Sequence, residues 1–579
     1  MKRIPYGISS YDKIKSENYY YVDKTKYIEL IEGLGSPYLF FLRPRRFGKS
    51  LFISILEEYY DINAQDRFNA LFGDTYIGKN PTPSKNTYPV LRFNFSMIPT
   101  DGSVEEIKQS FYSYIKTEIE EFIYKYRNLI KLPQEIINDT FSRHINIQDS
   151  LRDLIIKFRR ENIRIYLIID EYDNFGNNIL VEHGHQTYKD ITHGGGFLRG
   201  FFAIIKGLTD KREIDRLFIS GVSPLVMADV TSGFNIGDNI SLNPKISTMV
   251  GLSLDEVKQM LEYYQSFNIF NTEIDSIILD FEQWYNGYSF ADNYQKIYNT
   301  VSVLYYVNHY INNQKPPKNF IDTNLRTDYG KLRFLILEEK KLNGNFNILK
   351  EIVEKEEVTG ELIDNFSLDE LVDEEKFRSL LYYLGLITQK AETPDNQKVF
   401  TIPNKLIKHL LWEYLQKALL DAYGLRINVD FIKRSFEGLA LRGEWKPVFQ
   451  YIIDKFYEAA SIRDFVFHEE GIKMFLLAWL NLTNLYEVTS EKEKNKGYAD
   501  ITLEPDRRFV DYVKYDYLIE IKYIKAEDIS TPEKEKTAIA YAYNEAKKQL
   551  LQYSKNDKFN TVKIIIIASA KKQLFMDNL

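Results

Sequence analysis

The sequence predicts a multidomain α/β protein. Three observations carry that reading. Up to about residue 250, short apolar runs alternate with amphipathic helical patterns; from 251 to 429 the apolar spacing is mostly helical; and from 430 to 579 a second alternation of helix and strand begins. At 579 residues the chain has material for three or four cores. With 75 Lys and Arg against 82 Asp and Glu it carries a net charge of −7, and 44% hydrophobic content excludes a disordered chain. The acidity argues against a protein that coats nucleic acid over its whole surface and leaves room for local basic grooves.

Cysteine is absent, which removes disulfides, thiolate zinc sites, iron-sulfur clusters and cysteine nucleophiles together. The start, MKRIPYGISSYDK, has no apolar h-region, and no apolar run approaches the roughly 20 residues of a membrane span. The expectation is a cytoplasmic protein with no membrane partner.

In the first region, Tyr38 to Leu42, Val90 to Phe95, Ile165 to Ile169 and Leu217 to Ser220 read as buried strands of a parallel sheet. The first of them runs into Arg43-Pro44-Arg45-Arg46-Phe47-Gly48-Lys49-Ser50 and then a helical pattern, Leu51, Phe52, Ile55, Leu56 and Tyr59. Strand, loop, GKS and helix is the context of a phosphate-binding loop, with Arg46, Phe47 and Gly48 offering backbone N–H groups, Lys49 reaching the β and γ oxygens and Ser50 ligating Mg²⁺. Arg43 stands where the usual pattern has its first glycine. Arginines 43, 45 and 46 are expected to face phosphates or a nucleic-acid backbone, or else to form a solvated basic loop.

The run Ile165 to Ile169 ends in Asp170 and Glu171, adjacent carboxylates that can hold the metal shell and orient or deprotonate an attacking water, respectively. Ser220, at the polar end of the next run, is a candidate γ-phosphate sensor or a plain strand end. His183, His185 and His193 lie between these runs with no metal-ligand spacing, and read as part of a polar loop.

The middle region is broken at Pro316 and Pro317 and thick in acidic residues from Glu351 to Glu375. Phe377 to Leu384 reads as a helix, followed by a short strand, a turn at Thr393 to Asn396 and a second strand, Val399 to Ile402. Helix then hairpin suggests a winged-helix unit; a helical lid with one hairpin fits the pattern equally well.

In the last region the order is helix (Glu470 to Leu482), strand (Tyr498 to Leu503), strand (Tyr517 to Ile524), helix (Ala538 to Tyr553) and strand (Val562 to Ala568). Glu520 and Lys522 share a face of their strand, and Asp500 joins them if the two strands pair. Two carboxylates beside a lysine can bind Mg²⁺, activate water and steady charge on a phosphodiester under attack. Glu469 or Glu470 offers a further carboxylate, Glu470 being counted with the metal ligands; Gln549 and Tyr553 share a helix face; and Lys536, Lys547, Lys548 and Lys555 add positive charge. The alternative is a surface salt-bridged hairpin, but a buried strand rarely keeps Glu and Lys on one face without a use for them.

These residues carry a resemblance. The chain is similar to the AAA-ATPase-like proteins of bacteria and archaea that have a PD-(D/E)XK nuclease-superfamily domain at the C-terminus. The similarity lies in Ile4-Pro5-Tyr6-Gly7-Ile8, Tyr21-Val22-Asp23-Lys24-Thr25, RPRRFGKS, Ile169-Asp170-Glu171-Tyr172-Asp173, Ser220-Gly221-Val222-Ser223 and Trp284-Tyr285-Asn286-Gly287-Tyr288. It implies a P-loop NTPase sheet, a helical or winged-helix-like middle and a restriction-endonuclease-like α/β domain. It also implies that Asp500, Glu520 and Lys522 form a nuclease-like triad, with Glu470 or Glu469 in the helical acidic position and Gln549 in the trailing helix. Where that family tends to have Gly-Arg before its aspartate, this chain has Gly497-Tyr498-Ala499-Asp500.

The resulting expectation has three parts: an ATPase-like domain over 1–250, a helical lid and winged-helix region over 251–429, and a nuclease-like domain over 430–579. ATP and Mg²⁺, with Mn²⁺ an alternative at the second site, are the expected cofactors, and DNA or RNA the expected partner, with an oligomer open. The leading function is ATP-linked, metal-dependent cleavage of nucleic acid in genome defence or mobile-element biology. The rivals are an ATP-switched scaffold that holds nucleic acid or protein without cutting, and an ATPase whose hydrolysis is itself the output, with Arg199, Arg212 and Arg216 as candidate arginine fingers.

Overall fold

The computed structural model describes residues 1–130, 133–144, 146–230, 237–322, 335, 337–338, 341–459, 469–494, 497–552 and 559–579. The chain divides into two compact units, one of residues 1–331 with 357–407 and the other of residues 332–356 with 408–579.

The first unit is built on five parallel strands: β1 (Tyr38–Leu42), β2 (Val90–Asn94), β3 (Tyr166–Asp170), β4 (Arg216–Gly221) and β5 (Asp238–Asn239), in the order β2-β3-β4-β1-β5. Every residue of β3 is buried. Successive side chains of a strand point to opposite faces, so a strand buried throughout is covered on both, and a continuous apolar run follows from that position. β1 feeds helix α1 (Lys49–Tyr60), and β3 feeds helix α2 (Asn174–Thr192). The short β5 escapes sequence reasoning because two polar residues carry no periodicity.

The order matters for chemistry. β4 lies between β1 and β3, and the register sets Ile169 beside Ile219. Parallel strands bring their C-terminal ends to one edge, so the loop after β1, Asp170 at the end of β3 with Glu171 just after it, and Ser220 on β4 gather there.

In the same unit, a helix over Glu374–Tyr383 precedes β7 (Thr388–Glu392) and β8 (Lys398–Thr401), and β6 (Glu357–Gly360) adds a third antiparallel strand on the other side of β8. The hairpin expected from the sequence is therefore present, with one strand more than expected.

The second unit holds a mixed sheet of β9 (Tyr486–Lys494), β10 (Gly497–Pro505), β11 (Tyr515–Ile524), β12 (Asn560–Ser569) and β13 (Leu574–Asn578), in sequential order, with only β11 and β12 parallel. Helix α3 (Glu469–Leu480) precedes it and helix α4 (Pro532–Gln552) connects β11 to β12. A parallel pair requires such a crossover. Ala542, Ala546 and Leu550 of α4 pack with Leu518, Ile565 and Ile567 of the sheet.

Candidate nucleotide and carboxylate sites

The loop between β1 and α1 is closed on itself. Gly48, at φ +102°, caps the N-terminus of α1 in a conformation costly for any side chain, and Lys49 Nζ donates to the carbonyls of Arg43 (2.9 Å) and Pro44 (3.1 Å). Burial pushes the Lys49 ammonium down, while Glu171, Asp170 and Asp173 pull it back up. Two loop carbonyls hold an ammonium that phosphate oxygens can take over.

Arg43 does not face phosphates, contrary to the sequence expectation. It is 1% exposed, with its guanidinium 4.7 Å from the Phe41 ring and 4.6 Å from that of Phe290, and it donates to the carbonyls of Leu42 and Ser241. Aromatic faces on both sides make an interior position tolerable for this cation, although burial lowers its pKa to about 10. Arg46 is exposed and Arg45 half-buried, and both line the pocket described below.

The loop is also braced from outside. The Phe47 ring packs edge-on against Tyr288 and Phe290, its carbonyl accepts from Gly251 N–H (2.8 Å) and Thr300 Oγ1 (2.9 Å), and Val301 N–H donates to Arg46 O (3.2 Å).

Asp170 is fully buried at the end of β3. Ser220 Oγ donates to its Oδ1 (2.9 Å), so the candidate sensor is engaged with the carboxylate. Glu171 takes a left-handed φ of +50°, a local strain of the kind that gathers at functional sites. Burial raises its pKa against the pull of Lys49, and Asn174 Nδ2 donates to its Oε2 (3.3 Å). Asp173 serves the backbone instead, accepting from the N–H groups of Val222 and Ser223, both at 3.1 Å.

A cavity of about 420 Å³ opens over the loop. Lys49, Ser50 and Glu171 are among the residues that line it, and Pro5, Ile8, Tyr20, Tyr21, Met260 and Leu304 add apolar and aromatic surface. Its size suits one small ligand. Sequence spacing did not find these lining residues, since they come from four separated stretches; only the resemblance touched Pro5, Ile8 and Tyr21.

One other expectation, about the histidines, is corrected here. His183 and His185 lie on α2, on either side of a kink at Gly184 (φ +82°), and His193 at its C-cap, and not in a polar loop: Phe175, Ile179 and Leu180 are buried on the first half of the helix and Tyr188 and Ile191 on the second. Each imidazole meets a different partner: Thr100 O at 2.7 Å, Asp369 at 3.0 Å and Asp229 at 3.8 Å. Of the candidate fingers, Arg199 sits on the helix Phe197–Asp210, Arg212 in the turn before β4 and Arg216 at the first residue of β4. Arg216 lies over the Tyr60 ring, at the end of the strand opposite Ser220.

In the second unit, β10 pairs with β11 only as far as Ile501 opposite Ile519. Past that point the strands part. Asp500 Oδ2 accepts from Ile521 N–H (2.7 Å), and Glu469 Oε2, at the start of α3, accepts from Tyr523 N–H (3.3 Å). Two backbone donors that a strand would have taken are thus satisfied by carboxylates.

Glu520 is 2% exposed and accepts from Lys522 Nζ (2.9 Å) through Oε1, while its Oε2 is buried without a hydrogen-bond partner among the described residues. Burial, then Asp500, pushes its pKa up to about 7 despite Lys522. Burial works against the Lys522 ammonium, but Glu520, Glu469 and Asp500 outweigh it and hold its pKa above the usual value. Glu469 is also raised, by burial first.

The structure thus brings Asp500, Glu520, Lys522 and Glu469 together. Glu470 is exposed on α3, so helix phase selects Glu469 of the two neighbours. Gln549 is half-buried on α4 with Oε1 buried and unpartnered among the described residues; Tyr553 and Lys555 lie outside them. Lys536, Lys547 and Lys548 are exposed or half-exposed along α4.

The donor chemistry at both places suits a divalent cation. The orphaned oxygen of Glu520 beside Asp500 is a buried acceptor that a cation would satisfy, and Ser50 with Asp170 supplies the oxygen ligands that Mg²⁺ prefers. Among the described residues, no three or more His, Asp or Glu side chains are grouped to close on a metal by themselves, so substrate oxygens, water or backbone would complete either shell.

The fold and first site have the form of a P-loop nucleotide-binding domain, followed by an α/β domain with a carboxylate-lysine cluster. Sequence comparison gives the particular families: residues 5–231 match the one described as "Predicted AAA-ATPase", and residues 467–576 the "PD-(D/E)XK nuclease superfamily". The chain carries an AAA-ATPase-like domain and a C-terminal domain of the PD-(D/E)XK nuclease superfamily. It is also 28% identical over 307 residues to the "Uncharacterized protein in vnfD 5'region" of Azotobacter chroococcum mcd 1, a match covering 52% of this chain and 51% of that one. The chain therefore spans about half the length of the curated relative it matches. The crystal structure of CDC6P from Pyrobaculum aerophilum aligns with 13% identity over 68% of this chain and 93% of that one, with a TM-score of 0.22, too low to bear on the architecture.

Proposed function

We propose that the protein binds Mg-ATP in its first unit and uses nucleotide state to control metal-dependent phosphodiester cleavage of DNA or RNA in its second. The observation that carries the cleavage reading is the buried Glu520 carboxylate, with one oxygen on Lys522 and the other unpartnered, beside Asp500. A salt-bridged surface hairpin accounts for the pair and not for the orphaned oxygen. A role in genome defence or mobile-element biology, a cytoplasmic location and the three-part division at 250 and 429 belong to the same proposal.

At the nucleotide site, α1 presents its N-terminal N–H groups to phosphate, and Lys49 exchanges loop carbonyls for phosphate oxygens. Ser50 and Asp170 would hold Mg²⁺, and Glu171, whose raised pKa suits it to accept a proton, orients water. In the second unit Asp500 and Glu520 would hold Mg²⁺ or Mn²⁺. The ion, when bound, supplies electrostatic stabilisation of charge on the phosphodiester. Lys522 places a fixed positive charge beside them, and Glu469 helps to keep it charged. Exposed Lys547 and Lys548 offer contacts to a phosphate backbone.

The test is cleavage of labelled single- and double-stranded DNA and RNA by the full chain and Lys522→Ala, with Mg²⁺ or Mn²⁺, with and without ATP. Cutting that the variant loses and that responds to ATP is the expected result. Cutting that persists in Lys522→Ala overturns the site assignment, and no cutting under any condition favours an ATP-switched scaffold.

A further inference from the structure

We propose that Arg92 is the positioning residue for Asp170, a two-armed strut from β2 that aims the buried carboxylate toward the divalent ion accompanying ATP. The inference rests on the nucleotide-site reading above. Asp170 has a neighbour strand on each side, and each supplies one donor. From β4, Ser220 Oγ reaches Oδ1 at 2.9 Å; from β2, an Arg92 Nη reaches Oδ2 at 3.1 Å. Arg92 stands opposite Ile168 in the register, two residues before Asp170, so its side chain rises on the same face toward the strand end.

The other Nη of Arg92 donates to Glu57 Oε2 at 3.2 Å. Glu57 lies on α1, seven residues and hence about two turns beyond Ser50, on the same face of that helix. Arg92 therefore joins the helix that carries Ser50 to the strand that carries Asp170, the two residues suited to the ion. Behind Glu57 the charges continue to alternate: Lys125 stands 3.8 Å from Glu57 and 2.8 Å from Asp61.

The shape of the guanidinium fits this task. A planar fork can hold two acceptors in a fixed relation, whereas an ammonium is a point charge with no such geometry. Arg92 Nε is buried with no acceptor among the described residues, so the two terminal nitrogens carry the hydrogen bonding. With both oxygens held from opposite sides before nucleotide arrives, Asp170 pays no orientation cost when the ion binds. The hydrogen bonds of Arg92 run to Asp170 and Glu57 and not to the loop between β1 and α1 or to Glu171, so it acts through Asp170.

The experiment is calorimetry of ATP binding to the full chain, in Mg²⁺ and in EDTA, for wild type, Arg92→Gln and Arg92→Lys, with melting temperatures and Lys49→Ala alongside. The expected result is that Arg92→Gln cuts the Mg²⁺-dependent gain in ATP affinity by about tenfold, leaves affinity in EDTA unchanged, and is partly rescued by Arg92→Lys. A gain that is unchanged or larger in a folded Arg92→Gln, or no Mg²⁺ dependence in wild type, overturns the inference while leaving ATP binding intact. ATP binding that is absent in wild type or undiminished in Lys49→Ala overturns the nucleotide reading, and the inference with it. If Arg92→Gln does not melt cooperatively, Glu57→Gln removes the other anchor and should show a smaller loss of the same sign; no loss there overturns the proposal.

Discussion

Glu520 shows how much one buried carboxyl can set. Its folded pKa of about 7 lies above the value of an exposed carboxylate. The folded state therefore holds a proton that the unfolded state has released between roughly pH 4.5 and 7. Stability falls as pH rises through that window, and the cost is complete above about pH 7. Glu520→Gln should accordingly raise the metal-free melting temperature at pH 8 by a few degrees and change it little at pH 4.5, as scanning calorimetry in EDTA would read. The same proton competes with the cation, so Mn²⁺ affinity of the wild type should strengthen from pH 6 to 8 with proton release. Arg43 is the other residue whose surroundings decide its role. Its replacement by Ala would empty the space between Phe41 and Phe290 and is expected to cost about 2–4 kcal/mol, while Arg43→Met, which keeps the volume and removes a buried charge, should cost less; denaturant unfolding would measure both.

At the scale of elements, the loop between β1 and α1 depends on partners far along the chain. Phe47 anchors it to Tyr288 and Phe290, and its carbonyl is held by Gly251 and Thr300. Phe47→Ala should weaken ATP binding several-fold in equilibrium titration although no side-chain contact with phosphate is removed, because the loop's shape is no longer held. The corresponding device in the second unit is the parting of β10 from β11, which frees two N–H groups for Asp500 and Glu469. The strand Tyr486–Lys494 on the outer edge of this sheet was not legible in the sequence: its SEKEK end reads as loop, since edge strands carry charge that central strands do not.

At the scale of the molecule, the two candidate sites lie in two different compact units. Asp500→Ala and Lys522→Ala should each abolish cleavage and leave ATP affinity unchanged, since neither side chain belongs to the candidate nucleotide site in the first unit; paired calorimetry and nuclease assays on the full chain would show it. No helix among the described residues is long and apolar enough to cross a membrane.

Predominantly apolar runs were enough to locate four of the five strands of the first sheet: β3, covered on both faces, is apolar up to its terminal Asp170, and the edge strand β2 is apolar apart from Arg92 and Asn94. The GKS tripeptide, the DE pair and the D, E and K of the second site were legible because each chemistry needs those residue types at a strand end or on one strand face. Tertiary structure alone decided the rest. Helix phase chose Glu469 over its neighbour, burial turned Arg43 from a phosphate ligand into a stacked core cation, and strand order put Ser220 and Arg92 on either side of Asp170. These outcomes depend on which distant segments meet, and contacts between distant segments leave no periodicity in the local sequence.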